Sequence, residues 1–189
     1  MSGMTEVSSL TGRLLVATPA LADPNFDRAV VLLLDHDDEG SLGVVLNRPT
    51  PVGVGDILEG WAPLAGEPDV VFQGGPVSLD AALGLAVIPG DEGPLGWRRV
   101  YGAIGLVDLE TPPELLAAAL GSLRIFAGYA GWGPGQLEDE LAEGAWFVVD
   151  SEPGDVSSPR PESLWREVLR RQRSELAMIA TYPDDPSLN

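Results

Sequence analysis

The sequence contains no cysteine, no lysine and a single histidine, His36. Each absence removes chemistry. Without cysteine there is no thiol nucleophile, no disulfide, no iron–sulfur cluster and no thiolate zinc site. Without lysine there is no Walker-type phosphate loop and no Schiff-base amine. One histidine excludes the HExxH zinc motif and any centre built from several imidazoles. No metal site and no cofactor are therefore expected. Long apolar runs are missing too: the longest run of Val, Leu and Ile, Val30–Leu34, is five residues, where roughly 20 apolar residues are needed to cross a bilayer. The opening MSGMTEVSSL carries an acid where a secretory signal carries basic charge. A cytoplasmic protein with no membrane attachment is the expectation.

What is present is acid. Twenty-nine Asp and Glu face eleven cations, all arginine, for a net charge of −18. Such an anion is repelled by nucleic acid and by acidic lipid, so direct DNA binding is disfavoured. The length of 189 residues and the 44% hydrophobic content suit one globular domain. That domain is taken as 1–189, with 1–10 and 184–189 flexible. Twenty-three glycines and 17 prolines imply short elements and many turns.

The patterning alternates strand and helix. RLLVAT (13–18) reads as a strand stopped by Pro19. AVVLLLD (29–35) is apolar at nearly every position, the mark of a strand buried on both faces. DHDDEG turns it into SLGVVLN (41–47), a hairpin ended by Pro49 and Pro51. Residues 54–64 read as short helix and loop, 69–73, 83–88 and parts of 97–107 as strands. Thr111-Pro112-Pro113-Glu114 resembles a capped helix start, with the helix running to about Leu120. A strand over 123–129, a helix over 136–143 and a strand over 145–150 follow. Residues 151–161 are polar and expected to be mobile. Residues 165–173 form an amphipathic helix, and 175–182 are expected to be extended. Hairpins early and crossovers late point to a mixed sheet in an α/β, or mixed α+β, domain.

Few groups are left to carry chemistry. DHDDEG places Asp35, Asp37, Glu39 and Gly40 as in an EF-hand loop, but Leu46 stands where the bidentate Glu belongs, so an acidic turn is the better reading. His36, flanked by Asp35, Asp37 and Asp38, is favoured in its protonated form, the wrong state for a resting base, and reads as a surface or turn histidine. Glu138, Asp139, Glu140 and Glu143 read as a solvated helix face. Gly128–Gln136 (GYAGWGPGQ) has the strand, glycine turn and helix start of an anion site. Its turn carries no cation, and Tyr129 and Trp132 can equally fill core. Arg48, leaving a buried strand within Asn47-Arg48-Pro49, can clamp a carboxylate or phosphate, or pair with one of the many acids. Arg28 poses the same choice. Arg160, Arg166, Arg170, Arg171 and Arg173 make a basic island, a candidate docking surface set against ordinary C-terminal helix charges.

Several separated segments resemble the AlgH/YqgE family of bacterial proteins: GRLLVATPALADPNFDRAVVLL from Gly12, LGVVLNRP from Leu42, VFQGGPV from Val71 and GYAGWGPGQLEDEL from Gly128. The WREVLRR helix and the DPSLN ending belong to the same pattern, in the right order over nearly the whole chain. The ending departs from the Gly-His-Ala close that some members show. The resemblance implies a compact mixed domain around a curved, partly barrel-like sheet flanked by helices. Its members are mostly uncharacterised, and one branch is named as a regulator of alginate synthesis. No catalytic residues are established for it, so none carries over. Arg28, Asn47, Arg48, Gly74, Gly75, Tyr129, Trp132 and Gln136 fall in its motifs as candidate binding positions.

The functional expectation is a non-enzymatic regulatory or binding protein acting through an unidentified protein or small-molecule partner. The alternative is a hydrolase or transferase using carboxylates and His36.

Overall fold

The computed structural model describes residues 9–182 apart from Ala22, Asp91 and Ser174. Its organising element is the apolar run after Arg28. Val30–Asp37 forms strand β2, antiparallel to β1 (Leu14–Ala17) on one side and to β3 (Gly40–Val45) on the other. Side chains alternate across a strand, so a continuously apolar one needs cover on both faces. Strand β2 has it: Val30, Leu32 and Leu34 join the main core, while Val31 and Leu33 join a second core behind the sheet. The hairpin turns at Asp38-Glu39, where the Glu39 N–H donates to Asp37 Oδ1 at 2.8 Å.

The remaining strands are β4 (Pro49–Gly53), β5 (Val70–Gln73), β6 (Val77–Val87), β7 (Trp97–Tyr101), β8 (Ile104–Val107), β9 (Ser122–Trp132) and β10 (Trp146–Val149). Helices are short: α1 (Val54–Ile57), α2 (Glu114–Ala117), α3 (Gln136–Ala142), α4 (Pro153–Val156), α5 (Leu164–Arg170) and α6 (Leu176–Ile179). Strand order is β10-β1-β2-β3-β9-β6-β8-β7, with β4 on β5 and β5 parallel to β9. The eleven-residue β9 is the seam, pairing with β3 over 130–132 and with β6 over 122–129. The sheet curls into a half-barrel, as the resemblance implied. Leu164, Trp165, Val168 and Leu169 of α5 pack into the main core with β1, β2 and β9. The other face carries one core closed by Leu137 of α3 and another closed by Val54, Trp61 and Leu116.

Several local expectations are corrected. The β2–β3 hairpin ends at Val45, ahead of the prolines, but Pro49 and Pro51 then sit in a further strand, β4, which pairs with β5 and where a missing N–H is tolerated. The helix expected from Thr111 is only Glu114–Ala117, with Pro113 at its N-cap and no side-chain cap. Consecutive prolines explain the late start, because Pro113 disfavours helical backbone at Pro112. Residues 151–161 are ordered: α4 and a 3-10 turn over Pro161–Ser163 bury Asp155 to 3% exposure. The 175–182 segment is helical at α6, where Leu176 and Ile179, three apart, both reach the main core. The flexible ends expected at 1–10 and 184–189 lie mostly outside the described residues; Ser9 and Leu10 are held against β2. No described helix is long and apolar enough to cross a membrane.

Candidate ligand-binding cleft

Three turns and one helix meet beside the β3–β4 junction. The first turn begins at Asp23, whose Oδ1 accepts the Asn25 N–H at 2.8 Å and whose carbonyl accepts the Phe26 N–H at 2.9 Å. Phe26 anchors it, with its ring 5.6 Å from Trp146 and 6.3 Å from Trp132. The turn ends at Arg28, which has a left-handed backbone, φ +56°. For a bulky residue that conformation costs on the order of 1–2 kcal/mol. Asn47 holds it in place. Its Nδ2 donates to the Arg28 carbonyl at 2.9 Å and its Oδ1 accepts the Val30 N–H at 3.1 Å. Asn47 is thus a positioning residue with both amide ends engaged.

Arg48 follows directly and donates through Nη2 to the Asp27 carbonyl, tying the second turn to the first. The third turn, Gln73–Pro76, is joined by the Gln73 N–H donating to the Arg48 carbonyl at 2.8 Å. It must pass close to β9. A Cβ on Gly74 would lie 2.4 Å from the Gly128 carbonyl oxygen, and one on Gly75 2.2 Å from Tyr129 backbone. Only glycine fits either position. The helix is α5. Trp165 is 3% exposed, its indole N–H donates to the Ala17 carbonyl at 2.8 Å, and the Arg28 guanidinium lies 4.3 Å above its ring. The Arg166 guanidinium lies 5.6 Å from the same ring and donates to the Ala180 carbonyl.

Between these elements are two hollows that share Arg48. The larger, about 190 Å³, is lined by Asp27, Arg28, Asn47, Arg48, Glu162, Trp165 and Arg166. The smaller, about 130 Å³, is lined by Pro24, Asn25, Val45, Arg48, Gln73, Gly75 and Pro76. Three of the eleven arginines of a chain with net charge −18 therefore converge on one cleft.

The structure divides the sequence candidates. Arg28, Asn47, Arg48 and Gly75 line the cleft, and Gly74 supports it from behind. Trp132 instead packs on the far side of the sheet against Trp146, 6.2 Å away. Gln136 accepts the Gly133 N–H and donates to Glu140. Tyr129 contributes backbone beneath Gly75 and packs its ring on the main core. The basic island disperses: Arg166 joins the cleft, Arg171 pairs with Asp155 and Glu152, and Arg170 and Arg173 stay exposed. Asn25, Gln73, Glu162 and Trp165 line the cleft without having been singled out from sequence. Asn25, Gln73 and Trp165 lay inside the family-like segments without standing out there, and nothing local marked Glu162.

His36 corrects the surface or turn reading. It lies in β2, 5% exposed, and its Nδ1 accepts the Leu10 N–H at 2.9 Å. The ring proton therefore sits on Nε2, 2.9 Å from Glu138 Oε2. Both ring nitrogens are engaged inside the protein, so His36 is not placed to take a substrate proton. The hydrogen bond from His36, and secondarily one from backbone, holds the Glu138 carboxyl below the usual carboxylate range. Nor are the α3 acids simply a solvated face. Glu140 Oε1 accepts both the Trp132 and Trp146 indole N–H groups, at 3.0 and 2.9 Å. No group of three or more metal-ligating side chains occurs among the described residues. Arg124, 2% exposed, lies 4.3 Å over the Phe72 ring and donates to the Glu67 carbonyl; burial lowers its pKa to about 10.

Comparison with known proteins places this geometry among relatives. A family model described as AlgH-like matches residues 14–177. A UPF0301 protein of Streptomyces avermitilis is 88% identical with full coverage of both chains. Another, of Thermobifida fusca, is 52% identical over 96% of each. The crystal structure of a Corynebacterium diphtheriae protein superposes with a TM-score of 0.88 at 30% identity, covering 95% of each chain. The solution structure of the AlgH protein from Pseudomonas aeruginosa gives 0.68 at 28% identity, covering 96% of this chain and 98% of that one.

Proposed function

Since the chain belongs to the AlgH-like family, we propose from the chemistry of its cleft that it is a non-catalytic binding protein. It works in the cytoplasm, taking a small anionic molecule between Arg28, Arg48 and Arg166 and acting as a regulator through that occupancy. The observation that carries this reading is the convergence of those three guanidiniums. They come from three separate parts of the chain, in a protein with nearly three acids for every cation. Guanidinium forks match carboxylate and phosphate oxygens with paired hydrogen bonds. Catalysis through His36 is disfavoured by the engagement of both its ring nitrogens. Direct DNA binding is disfavoured by the dispersal of the C-terminal arginines and by the overall charge.

A thermal-shift screen of the whole chain against common metabolites tests the proposal. A ligand at 100 times its Kd stabilises by about 2.7 kcal/mol, which for a domain of this size raises Tm by roughly 5–10 °C. Hits should vanish in Arg48→Ala and Arg166→Ala while the unliganded Tm stays within a few degrees. Hits that persist in both variants would place binding elsewhere and overturn the proposal.

A further inference from the structure

Resting on the cleft reading above, we infer that the occupant is a small molecule presenting a single carboxylate next to a neutral hydrogen-bonding body, not a phosphate ester or a nucleotide. Charge is the first reason. The larger hollow sets Arg28, Arg48 and Arg166 against Asp27 and Glu162, leaving one net positive charge. A carboxylate brings one negative charge and balances it. A phosphate monoester brings about 1.5 to 2 and a pyrophosphate more, which also meets the repulsion of a chain at −18.

The tryptophan is the second reason. A site that holds a nucleobase by stacking offers it a free aromatic face. Here Arg28 lies 4.3 Å over the Trp165 ring, Arg166 lies 5.6 Å from it, and the indole N–H is spent on the Ala17 carbonyl. The ring orients cations and is not a stacking platform.

The smaller hollow supplies the third. Apart from Arg48 its walls are uncharged: the amides of Asn25 and Gln73, the Gly75 backbone, and the apolar surfaces of Pro24, Val45 and Pro76. An amide or hydroxyl fits those donors and acceptors, and a second anion does not. Arg48 lines both hollows, so it can fork the carboxylate while the body of the ligand lies on the Asn25–Gln73 side. At about 190 and 130 Å³ the two hollows together reach only the bottom of the roughly 300–1,000 Å³ usual for ligand sites. That is the size of a small metabolite.

The test is a titration of the full-length protein followed by NMR at the arginine Nε–H and tryptophan indole resonances. Three probes are compared: N-acetylglycine, its neutral counterpart N-acetylglycinamide, and pyrophosphate. N-acetylglycine should shift the Arg28, Arg48, Arg166 and Trp165 signals saturably, at least about tenfold more tightly than the amide, the worth of one charged hydrogen bond. Arg48→Gln should weaken it by a similar factor, Arg48→Lys by less because charge remains without the fork, and Arg173→Ala not at all. Spectra of the unliganded variants establish that each is folded. Equal binding of acid and amide, or tighter binding of pyrophosphate at the same signals, overturns the carboxylate inference while leaving the cleft reading standing. If no probe moves those signals, the carboxylate inference fails; the cleft reading is then decided separately by whether metabolite-screen hits are lost in Arg48→Ala.

Discussion

Arg28 occupies a backbone conformation that suits glycine better, and one side chain keeps it there. Asn47→Ala removes both clamp bonds and leaves the buried Val30 amide without its acceptor. Urea denaturation should show a loss of about 2 kcal/mol. Asn47→Asp keeps the acceptor for Val30 and loses only the donor to the Arg28 carbonyl, so it should cost about half as much. Glu138 gives a second prediction. Its pKa is depressed in the folded protein by the His36 hydrogen bond. Its contribution is therefore fully present above the ordinary carboxylate pKa, near 4, and is lost as pH falls through the lower folded value. Melts from neutral pH downward should lose less stability in Glu138→Gln than in the parent protein. Arg28 and Asn47 stood out in the sequence, but the His36–Glu138 bond did not. His36 and Glu138 lie 102 positions apart, and the acids beside His36 pointed to a turn where the chain in fact continues as a strand.

At the scale of elements, α4 is held to α5 by one ion pair with a buried member. Both oxygens of Asp155, whose side chain is 4% exposed, accept from the Arg171 guanidinium at 2.7 Å, and this bond holds the Arg171 pKa above its usual value. Removing one partner of a buried pair strands the other charge. Arg171→Ala should cost about 3–5 kcal/mol in chemical denaturation, and Asp155→Asn in that background should recover part of it. The turn after β5 makes the complementary prediction. Gly74→Ala sets a methyl against the Gly128 carbonyl oxygen, so it should destabilise by several kcal/mol, of the order of other overpacked sites, and should blunt any ligand-induced thermal shift. Elements whose pattern was self-sufficient could be read directly: β2 from its unbroken apolar run, β3 from the turn before it, α5 from its spacing. Elements made by their surroundings could not. Strand β4 contains two prolines and exists because β5 lies beside it, and α6 is four residues whose helicity depends on the core beneath Leu176 and Ile179.

For the whole molecule, the curled sheet was implied by the family resemblance, but its strand order was not. Strand β9 pairs with β3, β5 and β6, all contacts distant in sequence. The cleft was half legible, since Arg28, Asn47, Arg48 and the Gly74-Gly75 turn stood out, while their meeting with α5 required the fold. The charge of −18 predicts that double-stranded DNA shows no mobility shift with the purified chain at low ionic strength, and that added salt raises Tm by screening self-repulsion. The pairing of β1 with β10, Leu14 opposite Val149, has a consequence for synthesis. The chain leaves the ribosome at roughly 5–20 residues per second, so on the order of ten seconds separates the appearance of these partners. Through that interval Leu14–Ala17, buried at every position when folded, presents an open strand edge. The nascent chain is therefore most exposed to wrong pairing just before its last strand arrives, and slowing translation after β9 should lower the soluble yield.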